Sequence, residues 1–362
     1  MKIIIMSDNH GQKMALQKVL EHYQSESDIR FIHCGDSEFP YEDEVFQDCL
    51  RVTGNCDYDT NYPEVEVFEE GGIRFLVTHG HMQAVNSGVY RLAKYAKEQG
   101  VKVFATRSAG FDIYDLELMS EFGIKMTNVP SYSPNAIAEH VLTSALRISR
   151  NTNKIQRNLE KHNFSWNPGI LSRELRTLTV GVIGTGRIGT QAARLFSALG
   201  SKVLGYDVYQ NEVAKEVLDY VENLDDLIVN SDIITIHMPA IKEYNHMVND
   251  EFLAKMKDNS ILLNAARGML VDTKALLRAL DSGKLLGAGL DVYENEGKYV
   301  PKNFEDKEFD DELLQTLIDR DDVIYTPHTA FYTETAIQNL VEGGLEAAVE
   351  VIKTGTSANV VN

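Results

Sequence analysis

Cysteine, positive charge and long apolar runs are all in short supply in this sequence, and each shortage removes a class of protein. Only Cys34, Cys49 and Cys56 occur. An odd, sparse set without CxxC spacing argues against a disulfide framework or a structural zinc site, and for reduced thiols in a cytoplasmic protein. Lysine and arginine number 35 against 54 aspartates and glutamates, leaving a net charge of −19. Nucleic acid and anionic membranes both attract basic faces, so neither is an expected partner. The acidic excess itself reads as a solvated surface. No stretch approaches the about 20 apolar residues that span a bilayer. The apolar opening Met1–Met6 is too short for a signal peptide, is followed at once by Asp8 and His10, and reads as a buried strand. Repeats and low-complexity tracts are missing as well. The 362 residues therefore suggest two or three globular domains with real cores.

What is present is a βα alternation with polar residues at the carboxyl ends of strands, where open α/β sheets place their sites. Residues 2–6 form a β-branched strand, followed by a helix around Met14–Tyr23 and a strand Ile29–His33 that ends at Gly35-Asp36. Ile73–Thr78 is a strand delivering His79, with a helix at Ser87–Glu98. Strands at Val101–Ala105 and Ile124–Asn128 flank a helix at Ile113–Phe122. A long helix over Ser133–Ile148 is entered through Ser133-Pro134. Asn151–Arg176 is polar and reads as an irregular bridge. Leu178–Ile183, Gly189–Leu199 and Lys202–Tyr206 make a clean βαβ unit. Strands at Ile233–His237, Ser260–Asn264, Gly287–Leu290 and Val323–Thr326 follow, then an amphipathic helix over Glu334–Lys353.

Within that βαβ unit, Gly184-Thr-Gly186-Arg187-Ile188-Gly189 joins strand to helix. Glycines there permit the tight turn and let backbone approach a pyrophosphate held at the helix N-terminus. Asp207, after the next strand, suits both adenosine ribose hydroxyls and repels a 2′-phosphate, which favours NAD over NADP. Three residues at later strand ends carry the chemistry a 2-keto acid reduction needs. Arg267 offers a planar fork to a carboxylate. His328, after Pro327, is a proton donor near neutral pH. Glu296 is a carboxylate able to raise an imidazole's pKa. Spacing alone leaves a structural role open for each.

Further blocks remove that ambiguity: Ala105-Thr-Arg-Ser-Ala109-Gly110-Phe111-Asp112, Asn128–Pro134, Thr179–Gly189, Asn264–Gly268, Asp291–Glu296 and Pro327–Tyr332. From about Lys102 to Asn362 the chain resembles the D-isomer-specific 2-hydroxyacid dehydrogenases. The resemblance implies NAD as cofactor, a small 2-keto or 2-hydroxy acid as substrate, and a homodimer formed through the cofactor domain. It implies Arg267, Glu296 and His328 as the catalytic trio. Cofactor contacts fall at Gly184, Gly186, Arg187, Ile188, Gly189, Asp207, Met238, Pro239, Ala265, Ala266 and Asp291. Substrate contacts fall at Ala109, Gly110, Tyr132 and Phe331. Phe331-Tyr332 resembles the pocket of enzymes for small keto acids, so pyruvate is the first expectation, with branched 2-keto acids as alternatives. One departure is minor: relatives often carry Asn after the Met238-Pro239 loop, where this chain has Tyr244 with Asn245 beside it.

The front of the chain speaks of other chemistry. Asp8, His10, Asp36, Asn55 and His79 are hard-donor and imidazole ligands at the ends of successive strands, with Asp36 placed to bridge two metals. The ordered series DxH, GD, GNCD, HGH makes residues 1–103 resemble a truncated calcineurin-type metallophosphoesterase, which implies a manganese-type divalent metal and phosphodiester hydrolysis. That family continues into a Gly-His-x-His whose histidines are both ligands, whereas Lys102–Gly110 contains no histidine. Loss of two imidazoles argues against a working metal pair.

The expected fold is thus α/β: a Rossmann-type NAD-binding domain over 134–329 and a second, chimeric α/β domain. The latter combines the phosphoesterase-like segment 1–103 with a remnant substrate domain, 104–133 and 330–362. The expected activity is that of an NAD-dependent dehydrogenase, with metal-dependent phosphodiesterase or a non-catalytic NAD-binding fusion as alternatives.

Overall fold

Strand after strand closes on a polar or glycine-bearing turn, and that rhythm organises two compact units in the computed structural model. The structure describes residues 2–83, 90–111, 114–305 and 308–362. One unit is Met1–Pro130 with Gly343–Asn362, the other Ser131–Glu342. The division thus falls at 130 and 342, whereas the sequence suggested boundaries near 133 and 330.

In the first unit, β1 (Lys2–Met6), α1 (Lys13–Tyr23), β2 (Ile29–His33) and β3 (Cys49–Arg51) form a three-stranded parallel sheet in the order β1-β2-β3. Leu16 of α1 packs with Phe31, Phe46 and Cys49 on one side of it. β4 (Val65–Glu70) and β5 (Ile73–Thr78) pair as an antiparallel hairpin. β4 was not anticipated, though its Val-x-Val alternation is a strand signal. Phe68 and Phe75 stack across the pair at 4.8 Å. α2 (Tyr90–Glu98), β6 (Val103–Ala105), α3 (Leu116–Glu121) and β7 (Lys125–Thr127) complete the unit's front. The helix starts expected at Ser87 and Ile113, and Asp112 of the matching block, lie outside the described residues. β6 and β7 pair in parallel, in a sheet separate from that of β1–β3. Among the described residues the phosphoesterase-like strands therefore do not extend the β6–β7 sheet. The tail closes on β7 instead: Asn128 N donates to Asn359 O at 3.1 Å and Val361 N to Met126 O at 2.9 Å.

The second unit opens with α4 (Pro134–Ser149), capped by Ser133 Oγ and carrying Pro at its first position. α5 (Thr152–Glu160) corrects the expected irregular bridge. Asn151, left-handed at φ 51°, breaks α4, and Arg157 anchors the new helix on the carbonyl of Asp319 at 2.7 Å. Then come β8 (Thr179–Ile183), α6 (Arg187–Ala198), β9 (Lys202–Tyr206), β10 (Asp219–Tyr220), α7 (Leu224–Asn230) and β11 (Ile233–Ile236). α8 (Asp250–Lys255), β12 (Ser260–Asn264), α9 (Thr273–Asp281), β13 (Leu285–Leu290), α10 (Glu312–Asp319) and β14 (Val323–Tyr325) follow. α11 (Glu334–Thr354) closes the series and runs on into the first unit.

The seven strands of this unit are all parallel, in the order β10-β9-β8-β11-β12-β13-β14. Their residues are buried almost throughout, as sheets covered on both faces require. Strand order reverses beside β8, so the crevice beyond its carboxyl end is where such sheets bind ligands. Among the described residues no helix is long and apolar enough to cross a membrane.

Candidate active site

Apart from Tyr132, which precedes α4, the candidate residues of the second unit lie in segments that follow the carboxyl ends of this sheet's strands. After β8, Gly184 takes a left-handed φ of 88°, and an added Cβ would lie 2.7 Å from the carbonyl oxygen of His237. At Gly189 an added Cβ would lie 1.9 Å from Gly184 O, so helix and turn touch backbone to backbone. Nothing lies within 4 Å of the Cβ position at Gly186, and α6 begins there without a side-chain cap. The result is an open cradle at a helix N-terminus, a fit for a pyrophosphate. Arg187 and Ile188 form the first turn of α6. Asp207, after β9, accepts from Thr185 N at 2.6 Å and Tyr209 N at 3.2 Å, which fixes its carboxylate beside the cradle. Met238 and Pro239 follow β11, and Ala265 and Ala266 follow β12.

Asn264 braces the turn that presents Arg267: its Nδ2 donates to Arg267 O at 2.9 Å and its Oδ1 accepts from Ala266 N at 3.0 Å. Gly268 then passes so close to the next strand's loop that a Cβ would lie 2.2 Å from Tyr293 C and O. That contact sets the spacing between Arg267 and the Glu296 loop. Tyr293 N donates to Glu296 Oε2 at 2.9 Å, and Glu296 Oε1 meets His328 Nδ1 at 2.7 Å. The hydrogen bond to Glu296 holds the His328 imidazole above its usual pKa. Burial opposes it, the charges of Glu296 and Asp291 assist, and Arg267 weakly opposes. With Nδ1 committed to the carboxylate, Nε2 is the ring nitrogen that Glu296 does not engage.

Asp291, buried after β13, turns its side chain toward the His328 loop. Oδ1 accepts from Thr326 Oγ1 at 2.6 Å and Thr329 N at 2.9 Å, and Oδ2 accepts from Ala330 N at 2.9 Å. His328 itself is left-handed at φ 54°. Phe331 stands edge-on to His328 at 6.3 Å and, in turn, edge-on to Tyr132 at 6.2 Å, so Phe331 adjoins the imidazole and Tyr132 adjoins Phe331. Burial raises the Tyr132 phenol's pKa, with Arg267 opposing. Ala109 and Gly110 belong to the other unit, where their carbonyls accept from Asn128 Nδ2 and Ser108 Oγ, each at 2.7 Å.

The metal-type residues of the first unit converge only in part. Asp8, Asp36 and His79 bring ligand atoms within 4.8 Å of one another. His79 Nε2 lies 3.5 Å from Asp36 Oδ2 and 3.8 Å from Asp8 Oδ1, while Nδ1 pairs with His81 Nδ1 at 3.1 Å. His10 Nδ1 is held by Glu38 Oε1 at 2.7 Å, and Asn55 Nδ2 donates to Cys56 Sγ at 3.2 Å. His10 also groups with Asp36 and Cys56. The donor set fits one hard divalent cation. Asp36 is common to both groups, and Lys102–Gly110 contributes no imidazole to either.

The sequence did not flag Thr326 or His140, and marked Gly268 only as the end of the Asn264–Gly268 block; their contacts depend on segments brought together by the fold.

Residues 142–330 match the family profile of the D-isomer specific 2-hydroxyacid dehydrogenase NAD binding domain. Residues 1–106 match the calcineurin-like phosphoesterase superfamily domain. A D-lactate dehydrogenase of Streptococcus pyogenes serotype M1 is 46% identical over 286 residues, 79% of this chain and 86% of that protein. A D-lactate dehydrogenase of Treponema pallidum is 49% identical over 253 residues, 70% of this chain and 76% of that protein. The crystal structure of a D-lactate dehydrogenase from Treponema pallidum superposes with a TM-score of 0.74 at 35% identity, covering 100% of both chains. That of D-lactate dehydrogenase with NAD+ from Lactobacillus jensenii gives 0.73 at 28% identity, covering 100% of this chain and 99% of the other.

Proposed function

This chain belongs to the D-isomer-specific 2-hydroxyacid dehydrogenases, and on that premise we propose that it interconverts pyruvate and D-lactate with NAD through Arg267, Glu296 and His328. The observation that carries the reading is the 2.7 Å pair of His328 and Glu296, in the same unit as the glycine cradle and Arg267. When bound, reduced NAD supplies the hydride for the keto carbon. The chain's own part is to hold the substrate and deliver a proton. The Arg267 guanidinium forks onto the carboxylate, which orients the carbonyl. Protonated His328 donates from Nε2 to the carbonyl oxygen as charge develops there, and its Nδ1 proton stays shared with Glu296. Oxidation of the hydroxy acid reverses the transfer, with neutral His328 as base. Phe331 borders the imidazole with Tyr132 behind it, an aromatic pair that favours a short side chain on the substrate.

The glycine cradle, Arg187, Ile188, Met238, Pro239, Ala265 and Ala266 would hold the cofactor, with Asp207 selecting NAD over NADP. Pyruvate-dependent loss of NADH absorbance, abolished in Arg267→Ala and His328→Ala, with D-lactate as product, tests the reading. Absence of turnover with any small 2-keto acid defeats it.

The convergence of Asp8, Asp36 and His79 favours one further assignment, a single divalent ion of manganese type in the first unit, without hydrolytic activity. Calorimetric titration with Mn²⁺ tests it: binding lost in Asp36→Ala supports the assignment, and no binding to the parent chain removes it. Exposed Phe164, Trp166 and Leu171 (74%, 96% and 81% exposed) favour a homodimer through the second unit. Sedimentation of the parent chain against Trp166→Glu checks that. The free thiols of Cys34, Cys49 and Cys56 suit a cytoplasmic location.

A further inference from the structure

The loop that carries His328 is held by more than Glu296. Its backbone is pinned on both sides of the imidazole by one buried carboxylate, Asp291, whose carbonyl also accepts from His328 N at 2.7 Å. Asp291 is 3% exposed, so the direction of each proton on it matters. Thr326 Oγ1 gives its single proton to Asp291 Oδ1 at 2.6 Å. The same oxygen lies 3.0 Å from Nε2 of His140, on α4, and that Nε2 is 3.7 Å from Asp291 Oδ1. Since the hydroxyl has no second proton, the bond from His140 must be donated by Nε2–H. The opposite tautomer would draw the hydroxyl proton away from Asp291 and leave the carboxylate short of a donor.

We propose that His140 is a positioning residue for proton transfer: its Nε2–H orients the Thr326 hydroxyl onto Asp291, and Asp291 thereby locks the Pro327–Ala330 backbone that aims His328 at Glu296. His140 lies on α4, away from the loops that carry the trio, and among the described residues it is linked to the His328 loop through Thr326 and Asp291. The charged groups acting on His328 are Glu296, Asp291 and Arg267; the one facing His140 is Asp291. Loosening the loop therefore alters how His328 meets Glu296, which is what sets its affinity for a proton.

This inference rests on the dehydrogenase reading for its catalytic consequence, but its geometry does not, so the test has two independent arms. In the first, the His328 imidazole is titrated by NMR in the cofactor-free chain for the parent, His140→Phe and His140→Gln. The expected result is a parent value above the ordinary 6.5, a fall toward it in His140→Phe, and restoration in His140→Gln, whose amide keeps an N–H donor. In the second arm, His140→Phe lowers kcat with pyruvate on the order of tenfold and leaves KM within about twofold, with Gln restoring most of the loss. Should the Phe variant fail to fold, Thr326→Val removes the same link and is read the same way. A folded variant lacking the link whose His328 titration matches the parent overturns the proposal, as does a Gln variant that behaves like Phe. Shifted titrations without any turnover by the parent would uphold His140 as a positioning residue and refute the dehydrogenase reading instead.

Discussion

Gly268→Ala places one methyl group between the two halves of the proton-transfer apparatus. Its Cβ would lie 2.2 Å from Tyr293 C and O and 2.5 Å from Glu294 N, all backbone atoms with no rotamer to yield. Ordinary contact begins at 3.4 Å, so the two chain segments must part by about 1 Å. Tyr293 N is the donor that fixes Glu296, and Glu296 fixes His328, while Arg267 directly precedes the new methyl. The movement therefore falls on the distance between Arg267, the proposed carboxylate anchor, and His328, the proposed proton donor. A misplacement of that size at a reacting centre costs on the order of a hundredfold in rate. The overpacking itself destabilises by about 1–3 kcal/mol, which lowers Tm by roughly 2–10 °C for a unit of this size. Steady-state NADH oxidation with pyruvate, beside a thermal melt and a fluorescence titration of NADH, separates the effects. The expectation is a folded protein that binds NADH and turns over poorly. A variant that melts like the parent and keeps its kcat/KM would show that the Gly268–Tyr293 contact does not set the site.

Glu296→Gln replaces the carboxylate that holds the His328 pKa up with a neutral amide, a weaker acceptor without charge, so the pKa falls as burial is less opposed. Because reduction needs the protonated imidazole, the decline of pyruvate reduction with rising pH should begin at lower pH than in the parent, as a pH–rate profile will show. The same pair stabilises the fold below the unfolded imidazole value and ceases to do so as pH rises through the raised one, so the parent's melting advantage over Glu296→Gln should shrink toward alkaline pH. Asp207→Ala removes the carboxylate fixed by Thr185 and should weaken NADH binding about tenfold while narrowing discrimination against NADPH; equal discrimination in both proteins would contradict the ribose assignment. Gly189→Ala drives a Cβ to 1.9 Å from Gly184 O and should abolish measurable NADH binding, so retained fluorescence enhancement would count against the cradle.

Much of the second unit could be read before any coordinates. β9 and β12 have the bounds that their uninterrupted apolar runs suggested, and Ser133-Pro134 opens α4 where a hydroxyl cap followed by proline should. Local composition suffices for such elements because buried parallel strands need near-continuous apolar side chains. α5, β3 and β10 were missed for a common reason. Each is short, and each is held by a partner distant in sequence: Asp319 for α5, β2 for β3, β9 for β10. In the candidate site, Arg267, Glu296 and His328 were singled out by residue type and strand-end position together with the family resemblance, since spacing alone left a structural role open for each. His140 was not, because a single histidine on an apolar helix carries no signal until the residue opposite it is known.

What the sequence alone determined is the chemistry available: a glycine cradle with Asp207 for NAD, a guanidinium, a carboxylate and an imidazole for a 2-keto acid, and a metal-ligand series short of two histidines. Those depend on side-chain identity at fixed offsets from strand ends, which local backbone preferences transmit. Only the tertiary structure decided that the phosphoesterase-like strands form a sheet of their own, that Asp36 meets Asp8 and His79, and that Asp291, Thr326 and His140 stand behind His328. These are contacts between segments far apart in the chain, and strand pairing and packing, rather than local sequence, bring them together.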